Sequence, residues 1–306
     1  MNTTKVFASM SAVISSGRLD TERLRRIVES KTVAEAFKVL GDYGYSYSDG
    51  ISVDGFIVGE TNRLIRFIEE TSPSQRFADA LIARFKYNNA KLAYKSRFAP
   101  VPEDGYYAVE FDSKKLADGD YSDVDKFMAE ALSSLDESKE TRPQAIDLAL
   151  TRAMYDYILS IGGPLVKKYA RAEIDMKNIL TAARMKKLGM SGDQFISGGK
   201  ISLEALALSL DEDDFAACFE NTKYAEFAER IAQNEFKDLW MAELSSDDYL
   251  YYLTSRDVVS FTSVEPLLNY YTETLIELKT LKTALVCVKT DSRDLFFKRL
   301  PEIYKM

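Results

Sequence analysis

The sequence lacks histidine altogether and holds only two cysteines, seven prolines and one tryptophan. Without histidine, a His-based catalytic triad and a His-ligated zinc or haem site are both excluded. Cys218 and Cys287 form no CxxC motif, which favours a reducing, cytosolic compartment. The longest run without a charged residue is twelve residues, Val6 to Gly17, whereas a membrane-spanning helix needs about 18 to 20. An integral membrane protein is therefore excluded, and the serines in that run disfavour a secretory signal peptide.

What the chain does contain is typical of a folded protein with a large core, because 46% of its 306 residues are apolar and 29% are charged. The net charge of −8 matches that of one segment, residues 101–140, with 12 acidic residues and 4 lysines. Residues 84–97 hold five basic and no acidic residues, and residues 164–190 hold seven basic and two acidic ones. An acidic protein is a poor general binder of nucleic acid. We interpret the basic stretches as solvated helix faces or as contacts with an acidic protein partner.

Helix is predicted almost throughout the chain, since few prolines and glycines interrupt the apolar spacing. One helix begins at Thr21, and Thr32 followed by Glu35 is the capping pair of a second helix. The one strand-like piece is Tyr106 to Phe111, so a parallel nucleotide-binding sheet is not expected. Further helices are predicted over residues 72–98, 142–160, 164–189, 202–221, 225–238, 247–257, 263–289 and 292–304.

Three short motifs resemble ligand sites, and none has the features that such a site needs. Gly198-Gly199-Lys200 resembles part of a phosphate-binding loop, but Ile201 stands where serine or threonine is needed and no strand precedes it. Asp118 to Asp123 resembles the start of a calcium loop, but its sixth residue must be glycine and is aspartate. The acidic residues 211–214 are interpreted as the first turn of a helix. We therefore expect no cofactor, no metal, no small-molecule substrate and no active site in this chain.

An internal repeat runs through the chain, because residues 86–95, 175–184 and 277–286 align without gaps. Three aligned columns lie three residues apart along one helix stripe, and a small polar residue precedes the second column in each copy. The columns of this repeat are Tyr87/Met176/Leu278, Ala90/Ile179/Leu281 and Ala93/Ala182/Ala284. A second, fainter echo relates residues 40–45 to residues 219–224. We predict three similar helical parts of about 100 residues each, over residues 1–103, 104–212 and 213–306.

In their order and spacing these segments resemble the C subunit of the A/V-type ATP synthases and ATPases, which is related to the d subunit of vacuolar ATPases. The resemblance extends along nearly the whole chain, although no single motif is diagnostic. It is carried by Tyr169–Leu180 with Arg184-Met185-Lys186, by Glu273–Lys289, and by Ser11–Leu19, Leu40–Tyr45 and Phe85–Lys91.

The resemblance implies an all-α fold of three similar helical parts arranged as a pseudo-threefold funnel. It also implies a non-catalytic part of the central stalk, cytoplasmic and peripheral to the membrane. Such a protein sits on the membrane rotor ring, receives a coiled-coil stalk subunit with its small partner in its hollow, and transmits torque for ion transport or ATP synthesis. The alternative is a soluble helical-repeat scaffold that binds protein partners.

Seven polar or basic residues in or beside the aligned helices are predicted to contact the stalk. Their alternative interpretation is a solvated helix face. Thr280 stands where asparagine is common in the family, and Lys86 stands where the other two copies carry Asp175 and Glu277. The predicted contact residues are Lys86, Asn89, Lys91, Lys95, Asn178, Arg184 and Lys187.

Overall fold

The computed structural model describes residues 19–211, 215–255 and 264–305, and over these residues the protein is all-α without a β-strand. Most of the segment Ser11–Leu19 and of the acidic run 211–214 lies outside the described residues. The helices are α1 Thr21–Val28, α2 Val33–Asp42, α3 Val53–Thr71, α4 Gln75–Lys95, α5 Ser113–Ala117, α6 Lys126–Glu137, α7 Pro143–Ile161, α8 Pro164–Leu188, α9 Leu203–Asp211, α10 Ala225–Gln233, α11 Leu239–Ser255 and α12 Glu265–Lys289.

Local capping explains where most helices begin, and it confirms the predicted starts at Thr21 and Thr32. Asp20 accepts the N–H of Arg23 at 2.8 Å, and Thr32 accepts the N–H of Glu35 at 3.2 Å. The long helix α4 is capped in the same way by its N-cap serine, while α8 and α12 begin with proline in the first turn. The three long helices predicted by spacing are therefore confirmed to within a few residues at each end.

The strand predicted over Tyr106 to Phe111 is wrong. Tyr107 donates its N–H to Asn89 Oδ1 at 2.9 Å, and its carbonyl accepts Asn89 Nδ2 at 2.8 Å. The next N–H, of Ala108, is donated to Asn62 Oδ1 at 2.8 Å. The N–H of Val109 also turns back to the carbonyl of Tyr107 at 2.9 Å. Because side-chain amides and this turn satisfy the backbone, the segment needs no partner strand.

Three predicted helices are shorter than expected, and the one predicted over residues 247–257 begins earlier, at Leu239. The helix predicted over residues 225–238 is α10 and ends at Gln233. The helix predicted over residues 202–221 is α9 as far as Asp211, and Ala217–Phe219 is a separate 3₁₀ turn. Residues 292–304 form three 3₁₀ turns instead of an α-helix, and Pro301, which cannot donate a backbone hydrogen bond, separates the last two. These turns are Arg293–Leu295, Phe297–Arg299 and Glu302–Tyr304.

The sequence prediction missed α3, a helix of 19 residues. Its N-cap Ser52 accepts the N–H of Gly55 at 2.8 Å, and Phe56, Leu64 and Ile68 are buried on one face. Two glycines lower its intrinsic helix propensity, so burial of that apolar face stabilises it.

The three long helices share one core over their first halves; α4 stays in that core to its C-terminal end, whereas α8 and α12 leave it. Leu81 of α4, Ile174 of α8 and Leu268 of α12 lie in the shared core. From Met176 onward α8 packs in a second core with α9, α10 and α11. From Ile276 onward α12 packs in a third core with α1, α2 and the C-terminal turns. All nine residues of the aligned columns are buried, which confirms the predicted apolar stripe.

Asp248 on α11 should make stability depend on pH in an acidic window. Its carboxylate accepts the N–H of Glu302 at 2.8 Å, and burial, followed by repulsion from Glu302 and Asp247, raises the pKa of Asp248 to about 6. An unfolded aspartate has a pKa of about 3.9, so the unfolded state releases its proton at lower pH than the folded state. The contribution of Asp248 to stability should therefore fall as pH rises from about 4 to about 6.

Urea unfolding at several pH values measures this contribution. Asp248→Asn should flatten the curve between those two pH values relative to wild type, and the exposed Asp42→Asn controls for the loss of one negative charge. Parallel curves for Asp248→Asn and wild type would contradict the prediction.

Candidate partner-binding hollow

A buried ion pair joins the long helices where their first halves meet. Arg84 of α4 donates to the two carboxylate oxygens of Glu173 of α8 at 3.3 and 3.1 Å. The guanidinium carbon also lies 5.6 Å from the ring centre of Tyr271 of α12, whose hydroxyl donates to the carbonyl of Leu81 at 2.8 Å. Burial by itself raises the pKa of Glu173, but attraction to Arg84 and then to Lys177 outweighs it and lowers that pKa below 4.5.

Equivalent asparagines on α4 and α8 hold the chain segments that follow these helices. Asn178 donates to the carbonyl of Ile196 at 2.7 Å and accepts the N–H of Ile196 at 2.8 Å. Asn89 binds Tyr107 through the same two groups, and in both cases the partner lies 18 residues further along. Thr280, in the third copy, donates instead to a carbonyl of its own helix at 2.8 Å. The amide groups of the two predicted contact residues Asn89 and Asn178 are thus occupied inside the protein.

The glycine pair that resembled a phosphate loop wraps around an internal carboxylate. The N–H groups of Lys200 and Ile201 donate to Asp175 Oδ1 at 2.7 and 3.0 Å, and the Tyr224 hydroxyl donates to Asp175 Oδ2 at 2.8 Å. A Cβ at Gly199 would lie 2.2 Å from Asp175 Oδ1. Glycine is needed here for the close approach of the backbone, and Asp175 occupies the amides that a phosphate would meet.

The third long helix repeats this tyrosine–carboxylate bond. Glu277, which aligns with Asp175, accepts the Tyr45 hydroxyl at 2.6 Å and the N–H of Leu19 at 3.1 Å. Tyr45 and Tyr224 are the last residues of the two segments related by the fainter echo. Lys86 stands at this position in the first copy, half-buried, and pairs with no carboxylate among the residues that the structure describes.

A hollow of about 600 Å³ opens between α7, α8, α11 and α12, beside the Arg84–Glu173 pair. Four carboxylates line it, and each meets a cation. The hollow is therefore polar, and its walls are tied to one another across helices. The pairs are Lys95–Asp147 at 2.6 Å, Arg84–Glu173 at 3.1 Å, Lys279–Asp247 at 2.5 Å, and Arg184–Glu243.

Comparison with known proteins identifies the family of this chain. Residues 9–296 match the family described as the ATP synthase (C/AC39) subunit. The chain belongs to this family. A relative, the C subunit of the A-type ATP synthase of Desulfurococcus sp. (strain SY), is 34% identical over 91 residues, which span 28% of this chain and about a quarter of the relative's length (25%). The resemblance to the C subunit of the A/V-type enzymes is thus confirmed.

Two negative findings apply to the described part of this C/AC39-family protein. None of its described helices combines the length and the apolar character needed to cross a bilayer. Over the same residues, no three or more Cys, Asp or Glu side chains are grouped so that they could hold a metal ion.

One predicted basic residue lines the hollow of this C/AC39-family protein, and two more contact its lining residues. Arg184 lines it, Lys95 pairs with a lining aspartate, and Lys91 donates to the lining Thr151 at 2.7 Å. Lys187 is exposed at the end of α8, donates to a backbone carbonyl at 3.3 Å and does not line the hollow. Partner binding by these residues stays a prediction.

Sequence reasoning missed two lysines of the hollow, Lys177 and Lys279, and its acidic lining. A signal was present, since Lys177 and Lys279 occupy the same column of the repeat, where the first copy has Asn88. That column lies beside the buried stripe, so its side chains point to the edge of the core. Polar side chains at the same edge of three related helices therefore indicate a shared surface.

Proposed function

We propose that this C/AC39-family protein is the non-catalytic central-stalk subunit of a rotary A/V-type ATPase, cytoplasmic and peripheral to the membrane. It links the coiled-coil stalk subunit and its small partner to the membrane rotor ring, and it transmits torque for ion transport or ATP synthesis. The role needs no cofactor, nucleic acid or small-molecule substrate. The polar hollow beside the meeting point of the long helices carries the proposal, together with family membership.

A pseudo-threefold funnel of three parts, over residues 1–103, 104–212 and 213–306, is supported by a cyclic pattern of packing. The second half of α4 packs on the α5–α7 segment, that of α8 on α9–α11, and that of α12 on α1 and α2. Each long helix is thus covered by the short helices that follow it, and the last one by those that begin the chain. The matching bonds of Asn89 and Asn178 relate the first two parts in detail.

Torque transmission needs a stiff body, and the arrangement of the long helices supports one. The 21-residue α4 lies in the shared core along its length, and the 25-residue α8 and α12 run from that core into two further cores. The buried Arg84–Glu173 pair fixes α4 against α8 at one point, and ion pairs across the hollow tie α8 to α11 and α11 to α12. A close-packed interior deforms little under load.

Co-purification tests the proposed role directly. A tagged chain expressed in its own cells should bring down membrane ring and stalk subunits, whereas a general scaffold should bring down other proteins. Recovery of the chain without ring or stalk subunits, under conditions that keep the ATPase intact, would overturn the proposal.

Reversing the charge of three predicted contact residues should weaken stalk binding. Lys86→Glu, Arg184→Glu and Lys187→Glu together should lower the association rate and its salt dependence, because steering by opposite charge is lost. Binding of purified stalk subunits at low and high salt is the measurement, with circular dichroism to verify the fold. Unchanged binding at both salt concentrations would show that these three residues do not contact the stalk.

A further inference from the structure

The charges of the hollow do not balance once its ion pairs are counted. Each lining carboxylate has an ion-pair partner of its own, as described above, and Lys177 attracts Glu173 and Asp247 without forming an ion pair with either. Lys177 is exposed, and within the described part of the chain it has no hydrogen bond or ion pair. A cation in a hollow whose acids are already paired favours an acid that comes from outside.

A second lysine lies at the edge of the same hollow, on the lining residue Thr151. Lys91 of α4 donates to the hydroxyl of Thr151, but the nearby Asp147 is already bound to Lys95 at 2.6 Å. Burial lowers the pKa of Lys91 to about 8. Repulsion by Lys95 and Lys177 acts in the same direction, and attraction to Asp147 opposes it. Two lysines on different long helices thus repel each other at the wall of one hollow. An incoming anion relieves that repulsion.

We propose that Lys91 and Lys177 together form the anchor for a carboxylate side chain of the protein segment that enters the hollow. This inference rests on the proposed function and names the chemistry of its contact: the stalk tip must present aspartate or glutamate at this point. The other cations of the hollow are already bound to its own carboxylates, so an acidic group of the partner is favoured at the anchor, and the anchor also sets the register of the partner.

Binding of purified stalk subunits to single-site variants tests the anchor. Lys177→Glu should weaken binding by roughly tenfold or more at low salt, and Lys177→Met by less, since the former adds repulsion. Lys91→Met should also weaken binding. The matched control is Lys38→Glu, an exposed lysine on α2 that does not line the hollow, and it should bind like wild type.

A second measurement uses the isolated chain and a defined probe. Hexaglutamate is added to protein whose lysines carry ¹³C-methyl labels, and the two signals lost in Lys91→Arg and Lys177→Arg are followed by NMR. We expect these signals to shift more than that of Lys38. Arginine keeps the charge, so it should also preserve stalk binding.

The outcomes separate this inference from the proposed function. If wild type binds the stalk and Lys177→Glu binds it equally well, the anchor is wrong while the proposed role stands. If wild type does not bind the stalk at all, the proposed role fails, and the hexaglutamate titration alone decides. Shifts at both lysines then support a carboxylate site, and shifts no larger than that of Lys38 overturn it.

Discussion

Replacing Arg84 with methionine should lower the free energy of unfolding by about 3 to 5 kcal/mol at neutral pH. Methionine keeps much of the side-chain volume, but it leaves the carboxylate of Glu173, which is 7% exposed, without its cation. Urea unfolding followed by circular dichroism measures the loss as a lower midpoint. The matched control is Arg142→Met. Arg142 is exposed and pairs with Glu140, so losing this ion pair should leave the midpoint nearly unchanged.

The same variant should reverse the pH dependence that Glu173 contributes. In wild type the pKa of Glu173 is held below its ordinary value, so the group stabilises the fold above that value, and the stabilisation is lost as pH falls through the folded pKa. In Arg84→Met burial dominates and raises that pKa. The variant should therefore gain stability as pH falls from about 7 toward about 5, relative to wild type.

A double variant distinguishes loss of a charge partner from loss of packing. Arg84→Met with Glu173→Leu removes the buried charge as well, and it should recover part of the stability lost in Arg84→Met. A double variant less stable than the single one, together with parallel pH curves, would contradict the role assigned to the pair.

Replacing Asp175 with alanine should lower the free energy of unfolding by at least about 3 kcal/mol. Three buried or half-buried donors lose their acceptor, and each loss is worth about 1 to 3 kcal/mol. These donors are the N–H groups of Lys200 and Ile201 and the hydroxyl of Tyr224. Asp175→Asn keeps an oxygen for the two N–H groups and should cost less. Tyr224→Phe removes one bond of the three and is the control for a single loss.

A double-mutant cycle with Gly199→Ala tests whether close approach to the carboxylate is the reason for glycine. In wild type the added Cβ meets Asp175 Oδ1 at 2.2 Å, so Gly199→Ala should be strongly destabilising. In the Asp175→Ala background that oxygen is gone, and the same change should cost much less. Additive effects would show that Gly199 is needed for another reason.

Local sequence signals accounted for much of the helical framework. Caps such as Asp20 and Thr32, and apolar residues three and four apart, act within one or two turns of chain, so they can be recognised without knowing the fold. The same locality explains the failures. Asn89 and Asn62 reach across many residues to hold the segment around Tyr107, and no local pattern distinguishes that segment from a strand.

The predicted binding residues show the same division. Their positive charge and their place on aligned helices follow from the sequence alone. Whether a lysine is available to a partner depends on acids far along the chain: Lys95 is neutralised by Asp147, 52 residues away, and Arg184 by Glu243, 59 residues away. Lys177, which forms no ion pair with any described residue, was not selected by the sequence prediction.

The all-α class, the family and the threefold repetition of a long helix follow from the order of residues alone, because helix caps, apolar spacing and segment order are local features of the chain. The tertiary structure alone decided that the first helices pack on the last long one, that Asp175 fills the glycine turn, and that the hollow pairs its own carboxylates. The physical reason is distance along the chain. Burial and charge pairing depend on groups brought together only when the three cores have formed.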